Sequence, residues 1–170
     1  MGGILVAISL PGVVAPASTR KAVAAFPRHR IAAWVLTAVD LAWVTWIIAN
    51  ASLGRFEFLK PALYLAAPLS YALIVVFMDE LLAPRALGGL FLLAANPMLQ
   101  AARWHASGWR FVIVVLAYAW VVIGVTLVLS PYRFRQVAHW PYATDGLCRL
   151  VSAGRAAFGA FLLFLGTWAF

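Results

Sequence analysis

Five long apolar runs, each close to the length that crosses a lipid bilayer, constrain this chain more than any other feature. The runs cover roughly residues 31–50, 61–77, 84–104, 111–130 and 151–170. A helix needs about 20 apolar residues to cross about 30 Å of hydrocarbon, and it satisfies its backbone hydrogen bonds internally. The runs therefore predict membrane-spanning helices, although the second is slightly short and Arg155 interrupts the fifth.

The composition excludes the other broad classes of protein. Hydrophobic residues make up 65% of the 170 residues and charged residues 11%, whereas soluble domains have about 45–50% and about 25%. Such a chain is too apolar for a soluble globule or for intrinsic disorder, and its runs are too long for barrel strands. We predict an all-α polytopic membrane protein with about five transmembrane helices.

The basic residues predict the orientation in the membrane. Alternate loops divide the 13 Lys and Arg residues into nine on one side and four on the other. Because cytoplasmic loops collect Lys and Arg, we predict that the N-terminus is inside and the C-terminus outside. The net charge of +8 then reflects topology and contact with anionic lipid, and no nucleic-acid partner is expected. The preference for Arg over Lys is compatible with a GC-rich bacterium, so we expect the bacterial cytoplasmic (inner) membrane.

The N-terminal residues 1–30 form a segment apart from a single helical bundle at 31–170. Its apolar part, Ile4–Val14, is too short to span and contains Pro11. Positive charge follows this part at Arg20 and Lys21 rather than preceding it, unlike a secretory signal. We predict an interfacial or re-entrant segment packed on the bundle, followed by a basic stretch. Removal of residues 1–18 by cleavage is the alternative.

Asp40, at the middle of the first run, is the outstanding candidate for chemistry. A charged acid at that depth costs at least a few kcal/mol, so it must be protonated, paired or in contact with water. Thr37 lies one turn earlier and could share a hydrogen bond with it. Two interpretations stay open. Asp40 is either a functional group (a proton relay, a cation ligand or the partner of a basic group on another subunit) or a structural acid that joins helices through Tyr71, Ser70 or Asn96.

The third run contains a second polar group, Asn96, Pro97 and Gln100. Pro97 removes a backbone donor and frees the carbonyl of Leu93, so this face should point into protein or water. Asn96 could meet Asp40 within the hydrocarbon. The group is either part of a transport site at the midplane or a static, packed kink.

The connection at 131–149 mixes aromatic and basic residues, as expected of a segment in the headgroup region. We predict lipid contacts for Arg133, Arg135, His139 and Trp140, by specific anionic-lipid binding or by simple anchoring. The single cysteine, Cys148, is expected to be a small buried hydrophobe.

Small residues and one internal similarity complete the pattern. Glycines in the third and fifth runs, among them Gly88 and Gly89, allow close approach of helix backbones. Residues 85–93 match residues 155–163 at six of nine positions, which is compatible either with a duplicated hairpin or with chance in so biased a composition.

No arrangement of residues indicates a particular enzyme, so no catalytic residue, metal or cofactor is predicted, and bound lipids are expected. The leading hypothesis is a non-enzymatic accessory or structural subunit of a larger membrane complex or homo-oligomer. The alternative is a small proton- or cation-coupled carrier or channel that uses Asp40 and the Asn96-Pro97 kink. A third is a membrane lipid-modifying enzyme acting through His105 or His139.

Overall fold

The computed structural model of this chain is helical throughout the part that it describes, residues 2–78, 81–103, 110–134, 136 and 144–168. Its helices are α1 (Gly2–Val14), α2 (Pro16–Ala25), α3 (Arg30–Asn50), α4 (Lys60–Phe77), α5 (Leu82–Arg103), α6 (Arg110–Leu129) and α7 (Asp145–Trp168). Short 3₁₀ turns, Phe26–Arg28 and Gly54–Leu59, precede α3 and α4. The predicted all-α class is confirmed.

Among the described residues, five helical stretches are long and apolar enough to cross a membrane: α3, the stretch Gly54–Phe77 that contains α4, α5, α6 and α7. Four of the helices begin and end within two residues of the predicted runs. The fifth begins at Asp145 rather than 151, which corrects the prediction. Thr144 explains the earlier start, because its Oγ1 accepts a hydrogen bond from the Leu147 backbone N–H at 3.3 Å. Asp145 then occupies the first turn, where the helix dipole favours an acid.

Helices α5 and α6 approach each other closely at two glycines. A Cβ atom added to Gly88 would lie 2.8 Å from the Gly124 carbonyl oxygen, and one added to Gly124 would lie 2.8 Å from the Gly88 carbonyl oxygen. Neither position has room for a side chain. Farther along the same interface, Ala95, Met98 and Ala117 are buried together.

Helix α3 packs on the other side of α5, near the start of both helices. Ala33 of α3 is buried against Leu82 and Ala83 of α5, with Phe26 and Ile74 packed around them. Helix α4 contacts α3 and has no fully buried residue of its own. It is therefore the most peripheral of the long helices.

The N-terminal helices pack on the last helix of the chain. Helix α1 lies so close to α7 that a Cβ atom at Gly12 would overlap Ser152 Oγ. Cys148 is fully buried beside them, with its Sγ 3.9 Å from the carbonyl oxygens of Gly12 and Pro16. An ion pair between Arg20 Nη1 and Asp145 Oδ1, 2.7 Å long, closes the contact at the helix end. The expected packing of the N-terminal segment is thus directed at α7.

The glycine contact between α5 and α6 predicts a specific loss of stability. Gly124→Val should lower the free energy of unfolding by about 1–3 kcal/mol, because the new side chain meets a backbone carbonyl and Leu92. Reversible unfolding in detergent, followed by circular dichroism, measures this change.

The matched control is Gly154→Ala on α7, where an added Cβ atom has no neighbour within 4 Å. This variant should be neutral or slightly stabilising, since alanine favours the helix. Equal losses of stability in the two variants would contradict the assignment of Gly124 to a close helix contact.

Candidate functional site

The candidate site centres on Asp40, at the middle of α3, where its side chain faces Gly89 of α5. A Cβ atom at Gly89 would lie 2.8 Å from Asp40 Oδ2 and 3.5 Å from its carboxyl carbon. The missing side chain at position 89 therefore creates the notch in which the carboxyl group lies. Asp40 is partly buried there.

Two polar atoms near this notch are buried without a hydrogen-bond partner among the described residues. They are Oδ1 of Asp40 and Nε of Arg85. Arg85 precedes Gly89 by four residues and so lies one turn away on the same face of α5. The described ion pairs do not join Asp40 to Arg85. An acid and a base therefore lie on neighbouring turns of one interface, each with an unsatisfied atom.

Two of the partners expected for Asp40, Thr37 and Tyr71, donate their hydroxyl protons elsewhere. Thr37 is buried, and its hydroxyl group donates to the carbonyl oxygen of Ala33 at 2.8 Å. The Tyr71 hydroxyl group donates to the carbonyl oxygen of Trp34 at 3.4 Å. Both protons thus satisfy backbone oxygens of α3, and the described hydrogen bonds include none from either hydroxyl group to Asp40.

One face of α5 connects the two polar groups predicted from the sequence. Leu82, Gly89, Asn96 and Arg103 follow one another at intervals of seven residues, close to two helical turns. Ala33 of α3 covers Leu82 and Asp40 covers Gly89, so the two helices run in parallel over this half. Beyond it, Asn96 and Arg103 are exposed. Cover by α3 on this face of α5 therefore does not extend to Asn96.

Asn96, Pro97 and Gln100 all lie on the exposed part of α5. Asn96 is seven residues beyond Gly89, about 10 Å along the helix axis, and its amide makes no described hydrogen bond to Asp40. The two halves of the predicted midplane site thus share a face of α5 without touching. Helix α5 continues through Pro97 to Arg103.

Neither Gly89 as the position that faces Asp40 nor Arg85 as a nearby base was predicted from the sequence. A signal for Gly89 is the seven-residue interval through Leu82, Gly89 and Asn96, which places these residues in one line along α5. Chemically, the arrangement offers one carboxyl group with an oxygen free to accept a proton or a hydrogen-bond donor.

Of the predicted headgroup contacts, only Arg133 has a described side chain. It is exposed, and its guanidinium group lowers the pKa of the neighbouring Tyr132 phenol by hydrogen bonding and by its charge. The adjacent Phe134 ring lies 5.4 Å from the ring of Phe26, which connects this segment to the start of α3. Arg135, His139 and Trp140 lie outside the described residues, as does His105.

The notch at Gly89 predicts energetic coupling between Gly89 and Asp40. Gly89→Ala should lower the free energy of unfolding, because its methyl group displaces the carboxyl group of Asp40. In an Asp40→Ala background the same change should be neutral or stabilising, since the obstacle is gone and alanine favours a helix. The coupling free energy should reach about 1–2 kcal/mol, measured by unfolding in detergent. Additive effects of the two substitutions would show that the side chains do not meet.

Comparison of this chain with models of protein families, with curated proteins and with solved structures finds no match. Its function is therefore argued from the arrangement of its own residues.

Proposed function

We propose that this chain is a non-enzymatic integral membrane protein that serves as a structural or accessory subunit, in a larger membrane complex or in an oligomer of its own copies. The observation that carries the proposal is the exposure of Asn96 and Gln100 on α5, a helix long and apolar enough to span a membrane. Asn96 lies about 10 Å from the helix end at Arg103, too far for its short side chain to reach the headgroups. Hydrocarbon cannot satisfy its amide, whereas another helix can.

The chemistry of these amides favours a copy of the same chain as the partner. Each amide group both donates and accepts hydrogen bonds. Two copies of α5 related by a twofold axis could therefore satisfy each other with the same residues. Pro97 supports a contact at this face, because it leaves the Leu93 carbonyl oxygen without its helical donor.

Membrane lipids are the other partners in this proposal, and the bacterial cytoplasmic (inner) membrane is the proposed location. The basic stretch before α3 supports an inside position for the N-terminus, because Lys21, Arg28 and Arg30 are exposed there. Arg133 is exposed at the end of α6, which is the same side in this orientation.

Replacing both amides tests the proposal. The double variant Asn96→Leu, Gln100→Leu should weaken assembly by about tenfold or more, because helix-to-helix hydrogen bonds of this kind contribute about 0.6–2 kcal/mol each. Native mass spectrometry of protein extracted in nanodiscs measures the distribution of assembly states. Wild-type protein that stays monomeric at native expression, or a variant that assembles equally well, would refute the proposal.

Thr126→Val on α6 is the matched control. The Thr126 hydroxyl group already donates to the Val122 carbonyl oxygen of its own helix at 2.7 Å. Its loss should therefore leave assembly unchanged.

Cross-linking adds a positional test. Cys148 is fully buried, so the thiol introduced by Arg103→Cys would be the reactive one. Oxidation should join two copies through position 103, but not through an Ala119→Cys variant on the exposed face of α6.

A second candidate function, a proton- or cation-coupled carrier or channel, is favoured by the unsatisfied Oδ1 of Asp40. Asn96, a second polar residue on the same face of α5, lies about 10 Å farther along the helix. Asp40→Asn should abolish proton or cation flux into liposomes while assembly persists, because the amide keeps the shape and loses the titrating group. Glu57→Gln, in the exposed turn before α4, is the control and should retain flux. Flux unchanged in Asp40→Asn would eliminate this candidate.

A further inference from the structure

A groove of about 700 Å³ lies between α3 and α4, away from the Asp40 site. On α3 it runs from Ala38 to Asn50, and on α4 from Tyr64 to Tyr71. Twelve residues of helix correspond to about 18 Å. The groove thus extends along α3 from its end at Asn50 to Ala38, near the middle of the helix. Its length is close to the depth of one leaflet of hydrocarbon, about 15 Å.

Small residues form the floor of this groove without closing it. Ala38, Ala42 and Ala49 face Ala67 and Pro68 across the gap. Such residues normally allow two helices to pack backbone against backbone, yet α4 has no fully buried residue. An open gap forfeits the dispersion contacts of its lining atoms. The gap between α3 and α4 is therefore open to another molecule.

The length of the groove suits an elongated occupant. Its lining runs along both helices, over 38–50 and 64–71. A methylene chain, whose carbon atoms keep neighbours about 4 Å away, is thin enough to enter.

The two ends of the groove differ in polarity. At the end near Asn50 stand Tyr64 and Trp46, which are 66% and 70% exposed, as amphipathic rings at a headgroup boundary would be. Lys60 lies one turn before Tyr64 on the same face of α4 and pairs with Glu57 at 3.5 Å. Arg55 is exposed in the 3₁₀ turn Gly54–Leu59, which also contains Glu57. At the far end the Tyr71 hydroxyl group is already bonded to α3.

We propose that this groove binds one anionic phospholipid, with an acyl chain along the alanine floor and the phosphate at the end near Asn50. Arg55 and Lys60 carry two positive charges and Glu57 one negative charge, so this end of the groove has a net positive charge. A net positive charge favours an anionic over a zwitterionic headgroup. The site is separate from the α5 face invoked for assembly, so each proposal can fail without the other.

The experiment uses the full chain, delipidated in detergent and titrated with phosphatidylglycerol or phosphatidylcholine under native mass spectrometry. Wild-type protein should retain one phosphatidylglycerol per chain. Ala67→Phe, which fills the floor, should weaken retention by about tenfold, the contribution of roughly two buried methylene groups. Ala66→Phe, at the same depth but outside the groove, should retain lipid like the wild type. The double variant Arg55→Gln, Lys60→Gln should lose the preference for phosphatidylglycerol.

A second measurement needs no variant and covers the case in which Ala67→Phe fails to fold. Phosphatidylglycerol with a photoactivatable diazirine on its acyl chain is incorporated into nanodiscs with the wild-type protein. Cross-links should concentrate at 38–50 and 64–71. Labels spread evenly over the exposed faces of all helices, equal retention of phosphatidylcholine, or equal retention by Ala67→Phe would overturn the proposal.

Discussion

Close approach of helix backbones is the constraint on which the rest of this structure depends. In hydrocarbon, apolar side chains gain little by leaving lipid for protein, so helices associate through tight packing and hydrogen bonds. The chain achieves this with missing side chains at three contacts: Gly88 against Gly124, Gly89 against Asp40, and Gly12 against Ser152. At each contact the glycine lets the facing helix come closer than a side chain would allow. Many large apolar side chains elsewhere on these helices are exposed.

Two of these three contacts, at Gly88 and Gly89, involve helix α5. It packs on α6 through Gly88 and on α3 through Leu82 and Gly89, so its first half is enclosed by protein on two sides. Its second half keeps an exposed line through Asn96 and Gln100. The first half of α5 therefore packs inside the chain's own fold, whereas one face of its second half is polar and exposed. The acid site lies at the packed half, and the proposed assembly contact lies at the exposed half.

The sequence predicted the helical class, the five apolar stretches and, to within two residues, the bounds of four helices, because length and apolarity are local properties of a chain. It singled out Asp40 and Asn96 as polar residues within apolar runs, but it could not tell which helix faces which. The notch at Gly89 and the engagement of Thr37 with Ala33 depend on the relative rotation of packed helices. The early start of α7 was missed because a cap at Thr144 is a weak signal beside the nearby run of apolar residues.

The contact between α1 and α7 has a consequence for how the chain is made. Cys148 meets Gly12 across a separation of 136 residues, so the partner of α1 is made long after α1 itself. At about 5–20 residues per second, α1 waits roughly 7–27 s before α7 exists to receive it. During that interval the ion pair of Arg20 with Asp145 cannot form either. The contact between α1 and α7 therefore forms only after all of the helices between them have been made.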